Sequence, residues 1–202
     1  KKLGISPEKN VILATGGSLG AIALNEVMCD VIKEFAHKDI EIIHGYGQNG
    51  KFVPEKLREN GIDIEKFPNL HISEYIYDMA TYMAAADLVI SRAGASSLAE
   101  IQVLGKASYL IPYPAATENH QYHNAMALVN RNAAMVCEQK ELTSEKVIAV
   151  VGDLIENKAK YLEMGKSARN MAITDAQKKI YDIDKFIEFI NDVVKNDPRD
   201  SY

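Results

Sequence analysis

Short apolar runs that end in glycine or small polar residues alternate with stretches of helical periodicity along most of the chain, and this alternation restricts the fold more than any other feature. Val11-Ile12-Leu13-Ala14-Thr15 is a short, mostly apolar run closed by Gly16-Gly17, the pattern of a strand buried on both faces. After Ser18-Leu19-Gly20, the apolar positions Ile22, Val27, Val31 and Phe35 fall at helical spacing within Ala21 to Phe35. The same succession then repeats. Strands are expected at Ile40 to His44, Leu70 to Ser73, Leu88 to Ile90, Ser108 to Ile111 and Ala134 to Val136. Helices are expected between them, at Pro54 to Asn60, Ile76 to Ala86, Ser96 to Leu104 and His120 to Asn130. Right-handed strand–helix–strand units of this size imply an α/β fold, a Rossmann-like parallel sheet with helices on both faces.

The chain has 202 residues, 47% hydrophobic and 25% charged, which is enough to close one substantial core. We expect a polar lead or linker over residues 1–10, the α/β domain over 11–172, a C-terminal helix over 173–197 and a frayed tail over 198–202. The lead runs straight into the first strand without an initiating Met, the pattern of a cut made in a longer protein. Ile183, Phe186, Ile187, Ile190, Val193 and Val194 supply the helical period near the end. A formal charge of -5 without a basic run argues against a nucleic-acid surface. Cys29 and Cys137 lie far apart, with neither disulfide nor zinc spacing, and are expected to be reduced and inert. With no apolar run long enough for a membrane span and no signal-peptide core, the chain is expected to be cytoplasmic.

In an open parallel sheet, ligands bind beyond the carboxyl ends of the strands, so the residues that follow each strand carry the functional information. Gly16-Gly17-Ser18-Leu19-Gly20 allows a tight turn and close backbone approach, with Ser18 available to cap the next helix or donate to an oxygen. It suits a phosphate at a helix start, or simply joins strand to helix; it matches neither the dinucleotide fingerprint nor the P-loop. Ser91-Arg92-Ala93-Gly94-Ala95-Ser96-Ser97-Leu98-Ala99-Glu100 is a second such cradle, in which Ala95, Ser96 and Ser97 present N–H groups. Glu100 can accept from two vicinal hydroxyls at once, as in a ribose, or only complement the helix dipole.

After the next strand, Pro112-Tyr113-Pro114 stiffens a loop that leads to Gln121 and Asn124, three apart on one helix face, where amides can read sugar hydroxyls. His120 and His123 share that spacing but lack a third metal ligand, and solvated helix histidines are the simpler account. His71-Ile72-Ser73-Glu74-Tyr75-Ile76 offers backbone groups for the edge of a base, with Tyr75 for apolar contact.

Taken in order, these blocks resemble the C-terminal domain of the MurG family of GT-B glycosyltransferases, which transfer N-acetylglucosamine from its UDP derivative to lipid I, forming lipid II. The similarity is carried by Gly16 to Ala21, Ala86 to Glu100, Pro112-Tyr113-Pro114 and His120-Gln121-x-x-Asn124-Ala125, and spans Val11 to Lys140. The resemblance implies a UDP-N-acetylglucosamine or UDP site. Ile76 would contact uracil through its backbone, Glu100 the ribose, and Ala95, Ser96 and Ser97 the diphosphate, with Leu98 also among the donor-binding residues. Ser18 would lie near the phosphates, and Gln121 and Asn124 would hold the sugar. Ser97 stands where the family often has Thr, which preserves the hydroxyl.

The reaction implied is attack of the muramoyl 4-hydroxyl on the donor's anomeric carbon, with inversion and UDP leaving. No cofactor and no metal in this half are implied. The family also uses an N-terminal domain with its own glycine-rich loop, a general-base His, the lipid I site and a patch that docks the protein peripherally on the cytoplasmic face of the membrane. None of these precedes Val11, so this stretch is expected to bind donor without transferring it. The nucleotide half of another GT-B glycosyltransferase, that of a UDP-sugar epimerase, and a stand-alone nucleotide-sugar-binding module are the alternatives.

Overall fold

The computed structural model describes residues 3–6 and 8–172. The helix expected over 173–197 and the tail over 198–202 lie outside the described residues. The chain divides into units of Lys1–Ala172 and Ile173–Tyr202, and the described fold is that of the first. Six strands and seven helices alternate: β1 (Asn10–Thr15), α1 (Ile22–Phe35), β2 (Ile40–Gly45), α2 (Val53–Glu59), β3 (Leu70–Ser73), α3 (Met79–Ala85), β4 (Leu88–Ser91), α4 (Ala95–Leu104), β5 (Ala107–Leu110), α5 (His120–Val129), β6 (Met135–Val136), α6 (Ser144–Glu156) and α7 (Lys158–Asn170).

All strands pair in parallel, in the order β3-β2-β1-β4-β5-β6. The chain builds outward from β1 on one side, then returns through α3 to build outward on the other. A crevice opens where the direction reverses, above the carboxyl ends of β1 and β4. The apolar runs of the central strands are continuous because both of their faces are covered. Ile12, Ala14, Ile40, Ile42, Leu88 and Ile90 pack under α1, α2 and α6. Val11, Leu13, Ile43, Val89 and Leu110 pack under α3, α4 and α5. Each fully buried Ile or Leu contributes about 2 kcal/mol of transfer free energy, so the central strands anchor the domain.

Where expected and observed boundaries differ, a local cause is visible. The helix expected from Ile76 begins at Met79, because Asp78 caps it by accepting from the Thr81 N–H at 3.4 Å. Ile76 is buried instead, with its side chain against Gly45. Ser18 does not cap α1: the cap position falls to Ala21, which has no side chain to offer, and Ser18 is exposed. Thr143 caps α6, accepting from the Lys146 N–H at 3.4 Å. Cys29 and Cys137 are both free and buried.

Polar side chains tie down the amino-terminal edge of the sheet. Asp87 accepts from the Val11 N–H and from Lys158 Nζ, both at 2.9 Å, and Lys158 also donates to the Lys9 carbonyl. Glu41 is almost fully buried between Lys9 Nζ at 2.8 Å and His71 Nε2 at 2.9 Å. Burial opposes its ionisation, but the hydrogen bonds from Lys9 and His71 outweigh that and hold its carboxyl below the ordinary value.

His44 lies wholly inside, near the carboxyl end of β2, with Nδ1 3.1 Å from the Ala14 carbonyl oxygen. Burial pulls its pKa from 6.5 to about 4, partly offset by that hydrogen bond. The unfolded chain therefore takes up this proton at a higher pH than the folded one. The stabilisation is complete above about pH 6.5 and is lost as pH falls towards 4. Denaturant unfolding should show a loss of about 2 kcal/mol from about pH 7.5 to about pH 5 attributable to this group, and His44→Gln should flatten that slope. Equal slopes in the two proteins would contradict the assignment.

Candidate functional site

The turn after β1 owes its shape to a second turn after β2. Gly17 and Gly20 both have positive φ, 85° and 78°, and Thr15 Oγ1 accepts from the Gly17 N–H at 3.2 Å. A Cβ at Gly20 would overlap the Tyr46 carbonyl oxygen, and one at Gly47 would overlap the Gly20 nitrogen. The Gln48 and Asn49 N–H groups donate across the junction to the Ser18 and Leu19 carbonyls, at 3.2 and 2.8 Å. Buried Asn25 on α1 donates to the Tyr46 carbonyl at 2.8 Å. Two backbone turns are thus interlocked at contact distance, which only glycine permits. Neither Gly47 nor Asn25 stands out in the sequence; the one local signal is a glycine two residues past the end of a strand.

The second wall is the start of α4. Gly94 precedes the helix in extended geometry without a side-chain cap, and the Leu98 N–H is the one that closes onto the Gly94 carbonyl, at 3.0 Å. The N–H groups of Ala95, Ser96 and Ser97 come before that first intrahelical bond, so they point off the helix end with its positive dipole. Ser96 is exposed and Ser97 partly so, while Leu98 turns its side chain into the core.

These walls enclose a cavity of about 350 Å³ over the switch point, lined by Gly16, Gly17 and Ser18 on one side and by Arg92, Ser96, Ser97 and Glu100 on the other. Tyr75 and Ile76 close the end above β3, so five expected site residues, Ser18, Ile76, Ser96, Ser97 and Glu100, meet in one space. Ala95 and Leu98, also expected at the site, are not among its lining residues, and the Leu98 N–H is taken up by the Gly94 carbonyl. Gln121 and Asn124 are not among its lining residues. Gln121 Oε1 accepts from the Tyr113 N–H at 3.0 Å, and Asn124 Nδ2 reaches the Ala93 carbonyl at 3.5 Å. They stand on α5, next to the β4–α4 loop. His120 Nδ1 lies 2.8 Å from the Thr117 carbonyl oxygen. Among the described residues, no group of three or more His, Cys, Asp or Glu side chains is placed to hold a metal ion.

Arg92, for which no role was legible in the sequence, lines the cavity with its guanidinium turned towards the segments after β5 and β6. Its guanidinium donates to the Ile111 and Pro112 carbonyls at 3.1 and 3.2 Å and to Gln139 Oε1 at 2.5 Å. Burial lowers its pKa from the usual value, and an arginine keeps its charge under such a shift.

A Rossmann-like sheet with strand order 3-2-1-4-5-6, a glycine turn and an uncapped helix start at its switch point defines a nucleotide-binding α/β domain of the GT-B type. The match to a family model narrows this. Residues 11–185 match the glycosyltransferase family 28 C-terminal domain, and the chain belongs to that family. It is 44% identical over 186 residues to the UDP-N-acetylglucosamine--N-acetylmuramyl-(pentapeptide) pyrophosphoryl-undecaprenol N-acetylglucosamine transferase of Desulforamulus reducens, covering 91% of this chain and 49% of that protein. The protein of the same name from Desulfitobacterium hafniense DCB-2 is 43% identical over 180 residues, covering 88% of this chain and 48% of that protein. The crystal structure of Acinetobacter baumannii MurG superposes with a TM-score of 0.74 at 33% identity, covering 90% of this chain and 51% of that one. The UDP-GlcNAc 2-epimerase of Neisseria meningitidis, at 16% identity and a TM-score of 0.61, shares the fold. The chain spans about half the length of the curated relatives it matches.

The interlocked glycines are open to a direct test. Gly17 has free space around it, so Gly17→Ala should cost only left-handed strain, about 1 kcal/mol. Gly47→Ala adds a backbone overlap and should cost about 3 kcal/mol or more, read by denaturant unfolding. Equal losses would mean the two turns can part without cost.

Proposed function

We propose that the chain is the donor-binding half of an inverting N-acetylglucosaminyltransferase that converts lipid I to lipid II in peptidoglycan synthesis. The observation that carries this reading is the 44% identity to a transferase so named, held over 91% of the chain. The domain over 11–172 binds UDP-N-acetylglucosamine or UDP. In this reading the acceptor, the general base and the membrane-docking patch belong to the other half of the transferase, which works peripherally at the cytoplasmic face. Among the described residues, no helix is long and apolar enough to cross a membrane.

The cavity's chemistry supports the division of labour. The diphosphate sits against the N–H groups of Ala95, Ser96 and Ser97, beside Ser18 and the glycine turn. Charge that develops on the leaving diphosphate meets fixed donors and a helix dipole there, which stabilises it without rearrangement. Glu100, an exposed carboxylate on the same wall, accepts from the two ribose hydroxyls. Ile76, anchored by its side chain against Gly45, offers its main chain to the uracil edge. Gln121 and Asn124 face the sugar from α5.

Calorimetric titration of the chain with UDP-N-acetylglucosamine, UDP and ADP-ribose tests the reading. The two uridine ligands should bind and ADP-ribose should not; equal or absent binding of all three would overturn it. Glu100→Gln should weaken UDP binding by about 1 to 3 kcal/mol, the value of a charge-assisted hydrogen bond. Unchanged affinity would reduce Glu100 to a helix-dipole residue.

A further inference from the structure

The hydrogen bonds and ring contact of the Arg92 side chain go away from its own loop. Its two terminal nitrogens reach the Ile111 and Pro112 carbonyls and Gln139, and its guanidinium carbon stands 5.6 Å from the centre of the Tyr113 ring. All four partners lie on segments that follow β5 or β6. The planar, multiply donating head of arginine can serve three acceptors at once, which a lysine ammonium on a flexible stem does not reproduce. The residue therefore ties the loop carrying the anion cradle to the loop that leads into α5.

The far end of that second loop is tied as well. The Tyr113 N–H donates to Gln121 Oε1 at 3.0 Å. A backbone N–H only donates, so the amide oxygen of Gln121 must face Tyr113, and its NH2 group remains as the part available to a ligand. Between the two ties, Glu118 and Asn119 have φ of 50° and 54°, consecutive non-glycine residues in the left-handed region. Each costs about 1 kcal/mol, so this loop holds its shape only against external restraint.

We propose that Arg92 is a positioning residue for sugar recognition: it holds the β5–α5 loop in register with the anion cradle and, through Tyr113, orients Gln121 so that its NH2 group donates to an acceptor oxygen of the sugar. This rests on the donor reading above. A direct contact between Arg92 and the diphosphate is the competing role, and it predicts a different pattern.

The experiment measures Kd for UDP and for UDP-N-acetylglucosamine by calorimetry, and amide hydrogen exchange over residues 113–121, in the wild-type chain and in Arg92→Lys. The expected result is UDP affinity within about twofold of wild type, the ratio of the two Kd values shifted about tenfold against the sugar nucleotide, and faster exchange at the Tyr113 amide. Equal weakening of both ligands, or an unchanged ratio, overturns the proposal. Gln121→Glu keeps an acceptor for Tyr113 but loses the donor, so it should shift the ratio while leaving loop exchange slow; an unchanged ratio overturns the relay. If Arg92→Lys does not fold, Gln139→Ala removes one of its acceptors and should produce a smaller shift of the same sign, and no shift overturns the proposal. If the wild-type chain binds neither uridine ligand, the donor reading fails, and loop exchange in Arg92→Lys still decides whether Arg92 restrains the loop.

Discussion

Parallel pairing of β1 with β2 on one side and β4 on the other is the constraint on which the rest of this structure depends. A parallel strand can be reached only through a crossover, so every strand must be followed by a helix that returns the chain to the same starting edge. All the strand-to-helix turns then collect at the opposite edge. Because building proceeds outward from β1 in two directions, the turns after β1 and β4 diverge and leave a gap between them. The cavity bounded by Gly16 to Ser18 and by Ser96 to Glu100 is that gap. Its place follows from topology before any side chain is chosen.

The two edges of the sheet use polar groups in opposite ways. At the amino-terminal edge, charges are matched at partly buried sites: Asp87 with Lys158, and Glu41 with Lys9, with His71 as a second hydrogen-bond partner of Glu41. Such groups hold the strands' starting ends together at a known desolvation cost. At the carboxyl edge, donors are left at the start of α4, and the side chains beside them are small. In the proposed reading, a chain with formal charge -5 thereby presents a local site for an anion, because the positive potential comes from oriented backbone dipoles rather than from lysines. Net charge excluded a nucleic-acid surface and was silent about this site.

What could be read from the sequence was what depends on near neighbours. The order of strands and helices was legible because both-face burial writes unbroken apolar runs and helix burial writes a 3.6-residue period. The turns after β1 and β4 were legible because glycines and small residues immediately after a strand have few other uses. The start of α3 was misread because Ile76 fits a helical period equally well, and only the Asp78 cap and the contact with Gly45 move it out of the helix. Gly47 and Asn25 were invisible because their partners, Gly20 and Tyr46, lie more than twenty residues away, each in the opposite turn. No role for Arg92 is legible in the sequence, since its acceptors at Ile111, Pro112 and Gln139 are 19, 20 and 47 residues distant. Local chemistry announces itself in sequence; restraint between loops does not.

This difference bears on Glu100. A carboxylate beside a diphosphate is repulsive, and an acidic residue at the very start of α4 would compete with the ligand for the same N–H groups. Glu100 is set three to five residues beyond Ser97, Ser96 and Ala95, which along a helix axis is about 4.5 to 7.5 Å. In the proposed reading, that offset lets one helix serve two parts of a ligand with opposite needs: its free end meets the phosphates, and its second turn offers a carboxylate to the neighbouring hydroxyls. The offset holds only while α4 is held rigid at its base. Leu98 and Ile101 provide that, buried between Ser97 and Glu100 and just beyond, so the residues that never touch a ligand set the spacing of those proposed to do so.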